Sequence, residues 1–242
     1  MSVSSKSFRQ VLYGAAKRAG MVPEQDGLQR TEAAMLTEFL NSAVKLAWEF
    51  YTWPDALNIR PETIIAHPTV TGAKYVPRST DERTLKVVTA LWDSDPRANR
   101  TARSVFHTTQ ADGLYFYNHS DSTVWIQYRP EPPEYTDEEW NPTRPYATGS
   151  LVWDAAQDGS GHVFKARQTV PAGTVLSSTA YWESVPVLAC IAEPVKAGIV
   201  GAWNASESQH GTARVKQEYM LELLEHEILQ IQNQGQQTFA HH

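Results

Sequence analysis

The residues best suited to chemistry in this sequence fail one after another on spacing. His226-Glu227 opens like a zinc-protease helix, but Gln230 stands where a second histidine must face the metal. Cys190, the single cysteine, lies among Val187, Leu188, Ala189 and Ile191, so it reads as a small apolar filler rather than an activated thiol. Asp154, Asp158 and Gly159 lack the spacing of a calcium loop. His67, His107, His119 and His162 are scattered between strand-like runs with no i, i+4 pair. The carboxylates of Glu131–Glu139 and Glu222–Glu227 read as a solvated connector and the polar face of a helix. There is no phosphate loop, dinucleotide fingerprint or nucleophile elbow. No enzyme, metal centre or cofactor is expected.

One kind of chemistry survives. Eight Trp, ten Tyr and seven Phe supply large rigid faces, for cores and interfaces or as platforms for flat ligands. Trp140, Tyr146, Trp153 and Trp182 are the candidates for stacking on pyranose rings or for surface contact. In a segment this short, at least half of those rings must supply the core instead.

Composition bounds the rest. With 242 residues, 41% hydrophobic and 20% charged, the chain can bury a real core and is not disordered. A net charge of −6 and a pI near 5.7 argue against a reader of duplex DNA. One cysteine excludes an internal disulfide framework. No apolar run is long enough to span a membrane, and the opening MSVSSKSFRQ lacks a signal-peptide core, so a soluble, non-exported protein is expected.

The elements that must position these residues follow from periodicity. Ser7 caps a helix with apolar positions Phe8, Val11, Leu12, Ala15 and Ala19, ending at Gly20. Residues 21–29, with Pro23 and Gly27, form a connector. Thr31 caps a longer helix through Phe50, striped by Leu36, Phe39, Leu40, Ala43, Val44 and Ala47 and closed before Pro54. Two helices on a short loop read as an antiparallel pair. From residue 56 to 129 the period turns to short β-branched and aromatic runs: 56–65, 73–77, 85–92, 104–108, 113–118 and 123–128. An antiparallel sheet or small sandwich follows. The proline-rich acidic stretch 129–139 reads as an extended, solvated connector. Short strands return at 150–153, 162–167 and 180–184, with a tight turn at Asp158–Gly161. Helices resume over 187–206, broken or not at Pro194 and Gly198, and over 212–232. A polar tail from Gln232 to His242 is expected to be mobile unless a partner orders it.

The resulting fold class is α+β: a helical bundle built from the N-terminal helix pair and C-terminal helices, an antiparallel sheet, and a small all-β insert. The boundaries are 1–132 with 188–242 for the helices and sheet, and 133–187 for the insert.

Two resemblances attach to these residues. The helix ending Ala47-Trp-Glu-Phe-Tyr-Thr-Trp53 before a set of strands, then Trp125-Ile-Gln-Tyr128 ahead of paired C-terminal helices, resembles the head-to-tail adaptors (tail tubular protein A-like, or head completion, proteins) of tailed bacteriophages. The likeness covers 1–132 and 188–242. The insert, with Trp140, Tyr146-Ala-Thr-Gly149-Ser-Leu-Val152, Gly161-His-Val-Phe164-Lys-Ala166, Pro171 and Tyr181-Trp182-Glu-Ser-Val185, resembles the small chitin-binding-type carbohydrate-binding modules, with a longer turn between Val152 and Phe164.

The first resemblance implies a virion protein of the neck, assembled in the host cytoplasm. It implies a dodecameric ring of copies between the portal and a downstream tail or nozzle protein, with DNA passing through unread. A −6 charge repeated around such a ring repels DNA rather than gripping it. The C-terminal end is expected to reach the portal, through Gln230, Ile231, Gln232 and the apolar anchor Phe239. The stripes on 31–50 and 212–232 are expected to pack together. The loops at His67–Thr71 and Asp93–Arg100, with Arg97, Arg100 and Arg103, are alternatives for meeting the next ring. The second resemblance implies contact with neighbouring virion proteins or host polysaccharide. The alternative function is a carbohydrate-binding protein on a helical oligomerisation scaffold.

Overall fold

The computed structural model describes residues 5–21, 30–77, 87–117, 120, 122–154 and 161–239; for residue 30 and residues 234–239 it describes the backbone alone. The connector at 22–29, most of the Asp158–Gly161 turn, His119 and the closing His241-His242 lie outside the described residues. The fold is α+β, with four helices and several antiparallel sheets among those residues.

In chain order the elements are β1 (Ser5–Lys6), α1 (Phe8–Arg18), α2 (Arg30–Phe50), a 3-10 turn (Pro54–Ala56), β2 (Asn58–Thr63), β3 (Ile65–Ala66), β4 (Lys74–Pro77), β5 (Val87–Trp92), β6 (His107–Thr109), β7 (Gly113–Phe116) and β8 (Thr123–Arg129). There follow β9 (Leu151–Trp153), β10 (Val163–Ala166), β11 (Trp182–Val185), β12 (Val187–Leu188), α3 (Ala189–Ser206) and α4 (His210–Phe239). The chain divides into two compact units, Met1–Tyr51 with Pro132–His242, and Thr52–Glu131. Compactness thus groups the 133–187 stretch with the helices and sets 52–131 apart, where the sequence reading sets 133–187 apart.

In the helical unit, α1 starts where Ser7 and Gln10 satisfy each other's backbone. The Ser7 Oγ accepts the Gln10 N–H at 3.2 Å, and the Ser7 N–H donates to Gln10 Oε1 at 3.4 Å. This reciprocal box occupies donors that the first turn cannot pair internally. Phe8, Val11, Leu12, Ala15 and Ala16 form the buried stripe. Val187 and Leu188 do not begin the next helix, as periodicity suggested. They pair antiparallel with Ser5 and Lys6 as a two-stranded ribbon, a long-range partnership that no local pattern announces.

α3 is the centre of this unit. Its residues from Ile191 to Gly201 are buried nearly all round, Pro194 included, because α1, α2 and α4 all pack on it. The stripes of α2 and α4 therefore turn to α3 rather than chiefly to each other, correcting the expected pairing of 31–50 with 212–232. Glycine makes the approach possible. A Cβ on Gly198 would sit 2.5 Å from Met220 Sδ and 3.0 Å from the Ala43 Cβ, so α2 and α4 both close on one point of α3. Gly201 in turn faces Ala213 and Gln217, which makes α3 and α4 an antiparallel pair.

The connector is not freely solvated either. Tyr135 is buried, its ring stacked on Phe8 at 5.8 Å, and its hydroxyl donates to Pro186 O at 3.0 Å. Asn41 on α2 clamps its backbone from both sides: Nδ2 donates to Tyr135 O at 3.0 Å, and the Tyr135 N–H donates to Oδ1 at 2.9 Å. A side-chain amide here imitates the paired bonds of a β-ladder. Burial pushes the Tyr135 phenol well above its usual range. Strands β11-β10-β9 form an antiparallel sheet in the same unit. That sheet meets α1 through Trp153, edge-on to Phe8 at 5.7 Å, and through Gly161 O, which accepts the Arg9 N–H at 3.0 Å.

The second unit holds two antiparallel sheets, β2-β8-β5 and β3-β4-β7-β6. Ile64, Val76, Leu91, Leu114, Phe116, Val124 and Ile126 make its core. Alternation sends every second residue of these strands inward. Gly113 opens β7 because a Cβ there would run into the carbonyl of Val76 on β4. Of the two arrangements expected over 56–129, a single antiparallel sheet or a small sandwich, the structure has two antiparallel sheets sharing one core.

Candidate functional site

Each sequence-nominated residue has a definite place. α4 carries the portal-contact candidates near its end. Gln230 and Gln232 are exposed and Ile231 is half-buried; the backbone stays helical to Phe239, whose side chain lies outside the described residues. The segment from Gln232 to Phe239, expected as a mobile tail, is therefore a continuation of the helix. Gln230 Nε2 lies 2.8 Å from His226 Nε2 one turn below, so the position that breaks the zinc motif is a helix-surface hydrogen bond. At 30 residues, α4 outruns the 18 of α3 by roughly 15 Å or more. Val215, Tyr219 and Leu229 are exposed along it, at spacings that place them on one face, away from the buried Ala213, Met220 and Leu224.

The four aromatic candidates of the 133–187 stretch come to one sheet but do not form a platform. Tyr146, Trp153 and Trp182 are buried, and Tyr146 meets Trp182 edge to face at 5.4 Å inside a core completed by Val152, Ala166 and Val170. Buried rings have no face left for a sugar, so these three are withdrawn as stacking residues. Only Trp140 stays half-buried, packed against the same core. Cys190 is half-buried rather than sealed in the core. Of the Trp48, Phe50, Trp53 group, both tryptophans are buried and Phe50 is exposed. Among the described residues no group of His, Cys, Asp and Glu could hold a metal ion.

The arginine loop is built from its own polar groups. Asp93 Oδ1 accepts the Arg103 N–H at 3.0 Å and the Ser94 hydroxyl at 2.9 Å, which holds its carboxyl below the usual range. Asp95 takes Arg97 through both carboxylate oxygens at 2.9 Å, and the Arg97 guanidinium lies over the Trp125 ring at 5.6 Å. Arg97 is thereby committed within its own loop.

The constellation that sequence reading missed is on the outer face of β3-β4-β7-β6. Register aligns Ile65, Tyr75, Tyr115 and Thr108 across the four strands, on the face opposite Val76, Leu114 and Phe116. His67 folds over this row, its ring centroid 4.6 Å from Tyr75 and 5.4 Å from Tyr115. Its Nε2 lies 3.1 Å from Asp112 Oδ2, which also accepts the Tyr115 hydroxyl at 2.7 Å. Those two hydrogen bonds, the tyrosine's first, hold the Asp112 carboxyl below its usual range. The same bond pushes the Tyr115 phenol up to about 12. The signal was present as alternating Tyr115 and Tyr117, but the scattered histidines hid it.

Among the described residues no helix is long and apolar enough to cross a membrane. The two units also divide the charge: Thr52–Glu131 has nine basic and nine acidic residues, so the net −6 falls wholly on the helical unit. Compared with protein-family models and with curated proteins, the chain matches none.

Proposed function

We propose that this chain is a structural protein of a phage neck: a head-to-tail adaptor whose copies form a ring between the portal and the next tail component. The observation that carries the reading is α4. A helix that outruns α3, on which it packs, and leaves Val215, Tyr219 and Leu229 exposed is shaped for contact with another chain. Leu46 and Phe50, exposed on α2, offer a second apolar surface to a neighbouring copy. In this reading the helices form the bundle of the ring, and the β9–β11 region is a small inserted module that decorates it. Its resemblance to carbohydrate-binding modules brings no sugar platform with it, since Tyr146 and Trp182 are spent on its core and Trp153 on the contact with Phe8. Residues Gln230 to Phe239 dock on the portal.

Truncation before Gln230 tests the assignment. Loss of portal capture in a pull-down, with ring formation by negative-stain microscopy retained, is the expected result. Capture that survives the truncation overturns the role of the C-terminal end. A chain that stays monomeric at every concentration and is absent from particles overturns the adaptor reading as a whole.

A further inference from the structure

The open residues of α4 recur at alternating steps of four and three. Val215, Tyr219, Glu222, His226, Leu229 and Asn233 are all exposed, whereas Ala213, Met220 and Leu224 are buried on the opposite face. Val215 is 60%, Tyr219 45% and Leu229 56% open, a large exposure for apolar side chains on a well-ordered helix. Steps of four and three average 3.5 residues, the spacing of a seam between two helices. This seam runs from Val215 to Asn233, roughly 27 Å at 1.5 Å per residue. α4 thus carries two faces, one packed on α3 and one open.

The open seam is its own complement. Turned end for end about position 224, it lays Val215 against Asn233, Tyr219 against Leu229 and Glu222 against His226. The last pair is matched in hydrogen bonding. Gln230 Nε2 is an amide donor, so the His226 Nε2 that it approaches at 2.8 Å accepts, and the ring hydrogen stands on Nδ1. That N–H is left to donate to a Glu222 carboxylate brought opposite it. Alignment in the same direction gives the reverse: Glu222 meets Glu222 and no donor faces it. Charge therefore selects the antiparallel orientation.

We propose that the occupant of this face is a second copy of the chain, its α4 lying antiparallel on the first about a two-fold axis at position 224. Tyr219 of each copy packs on Leu229 of the other, and Leu223, half-buried beside the seam, meets its own copy near the axis. Glu225 meets its copy on the opposite flank, a like-charged contact at the solvent edge that weakens the pair. Glu218, on that same flank, is already matched by Arg214 of its own helix at 2.9 Å. With three apolar residues per copy in the seam, the interface is at the small end for specific complexes, so the pair forms as concentration rises. A two-fold contact satisfies itself and recruits no third member. The pair is therefore the form of the free chain, and a ring needs another face, such as Leu46 and Phe50 on α2. The pairing rests on the adaptor reading only for the premise that the open face of α4 meets another chain, and it needs no portal.

Sedimentation equilibrium on the full chain, from about 1 to 500 μM, is expected to show monomer and dimer exchanging by mass action. Leu229→Glu, a change at an exposed position, weakens the dimer by roughly tenfold or more, because each copy then sets a carboxylate against Tyr219. Direction is read by cross-linking. Tyr219→Cys and Leu229→Cys chains, mixed and treated with a short bismaleimide, are expected to join position 219 of one copy to position 229 of the other, as mapped by peptide mass spectrometry. A chain monomeric throughout, an undiminished dimer in Leu229→Glu, or bridges that join position 219 to its own copy in preference to 229 each overturn the pairing. The adaptor reading fails separately. A monomeric chain that enters particles sinks the pairing alone, and a dimer that no portal captures supports the pairing while removing the portal.

Discussion

Tyr146 and Trp182 meet edge to face at 5.4 Å inside the 139–185 region, whereas Tyr75 and Tyr115 lie 5.6 Å apart on an outer sheet face beneath one histidine. Both sets sit on short antiparallel strands. They differ in what lies over them. Trp182 is covered by Val152, Ala166 and Val170, apolar residues with no alternative state. Tyr75 and Tyr115 are covered by the His67 imidazole, a polar ring held by Asp112 and by the amides of Thr69 and Val70. The first set is structural in so small a region: Tyr146 and Trp182 are the largest of its buried core residues, with Trp140, Phe164, Leu176 and Tyr181 packed around them. The second set lies on the face away from the cluster that Leu114, Phe116 and Ile126 complete, and is buried there beneath His67.

Substitutions can break or sharpen that contrast. The largest effect is expected from Trp182→Ala, about 3–5 kcal/mol by chemical denaturation, with hydrogen exchange placing the loss in the helical unit and sparing Thr52–Glu131. If residues 87–129 lost protection equally, the two regions would not be energetically separate. Asn41→Ala comes next, at about 1–3 kcal/mol, because it strands a buried backbone N–H and C=O at Tyr135. Asn41→Asp should restore only the acceptor half, and the same denaturation curve reads the difference. Acid gives a smaller effect, confined to the other unit. Asp112 titrates below its ordinary range when folded, so its contribution is complete above about pH 4 and disappears as pH falls through the folded value. Exchange at β6 and β7 should therefore rise in acid, and Asp112→Asn should remove that dependence. The smallest effect belongs to Phe106→Ala, within about 0.5 kcal/mol despite the size of the residue, since its ring is largely in solvent.

The contrast also marks what the sequence could disclose. α1 was legible to within a residue, since Ser7, the apolar spacing and Gly20 agree on one period. The strands from β2 to β8 were legible as strands, because Val, Ile and Tyr runs alternate between turn residues. Which strands share a sheet was not, because it depends on Ile64 breaking the run from β2 to β3 and on pairings between residues far apart, such as Lys74 with Phe116. The same limit hid β12, whose partner lies at Ser5–Lys6. Helix α4 was read short because Asn233, Gly235 and the glutamines give no apolar period past Ile231. For the site, residue type named Trp140, Tyr146, Trp153 and Trp182 correctly as a set but could not tell covered rings from open ones. His67 was dismissed with the other lone histidines, for its partners Asp112 and Tyr115 arrive from 45 or more residues away.

The clamp of Asn41 on Tyr135 bears on how the molecule is put together. The chain leaves the helices after Tyr51 and comes back at Pro132, and the amide catches it three residues later, against α2 itself. The groups that hold Tyr135 come from the helical unit. The catch, the stacked Phe8 and the Pro186 acceptor all belong to the helical unit, so the point at which the chain re-enters that unit is fixed by residues outside Thr52–Glu131.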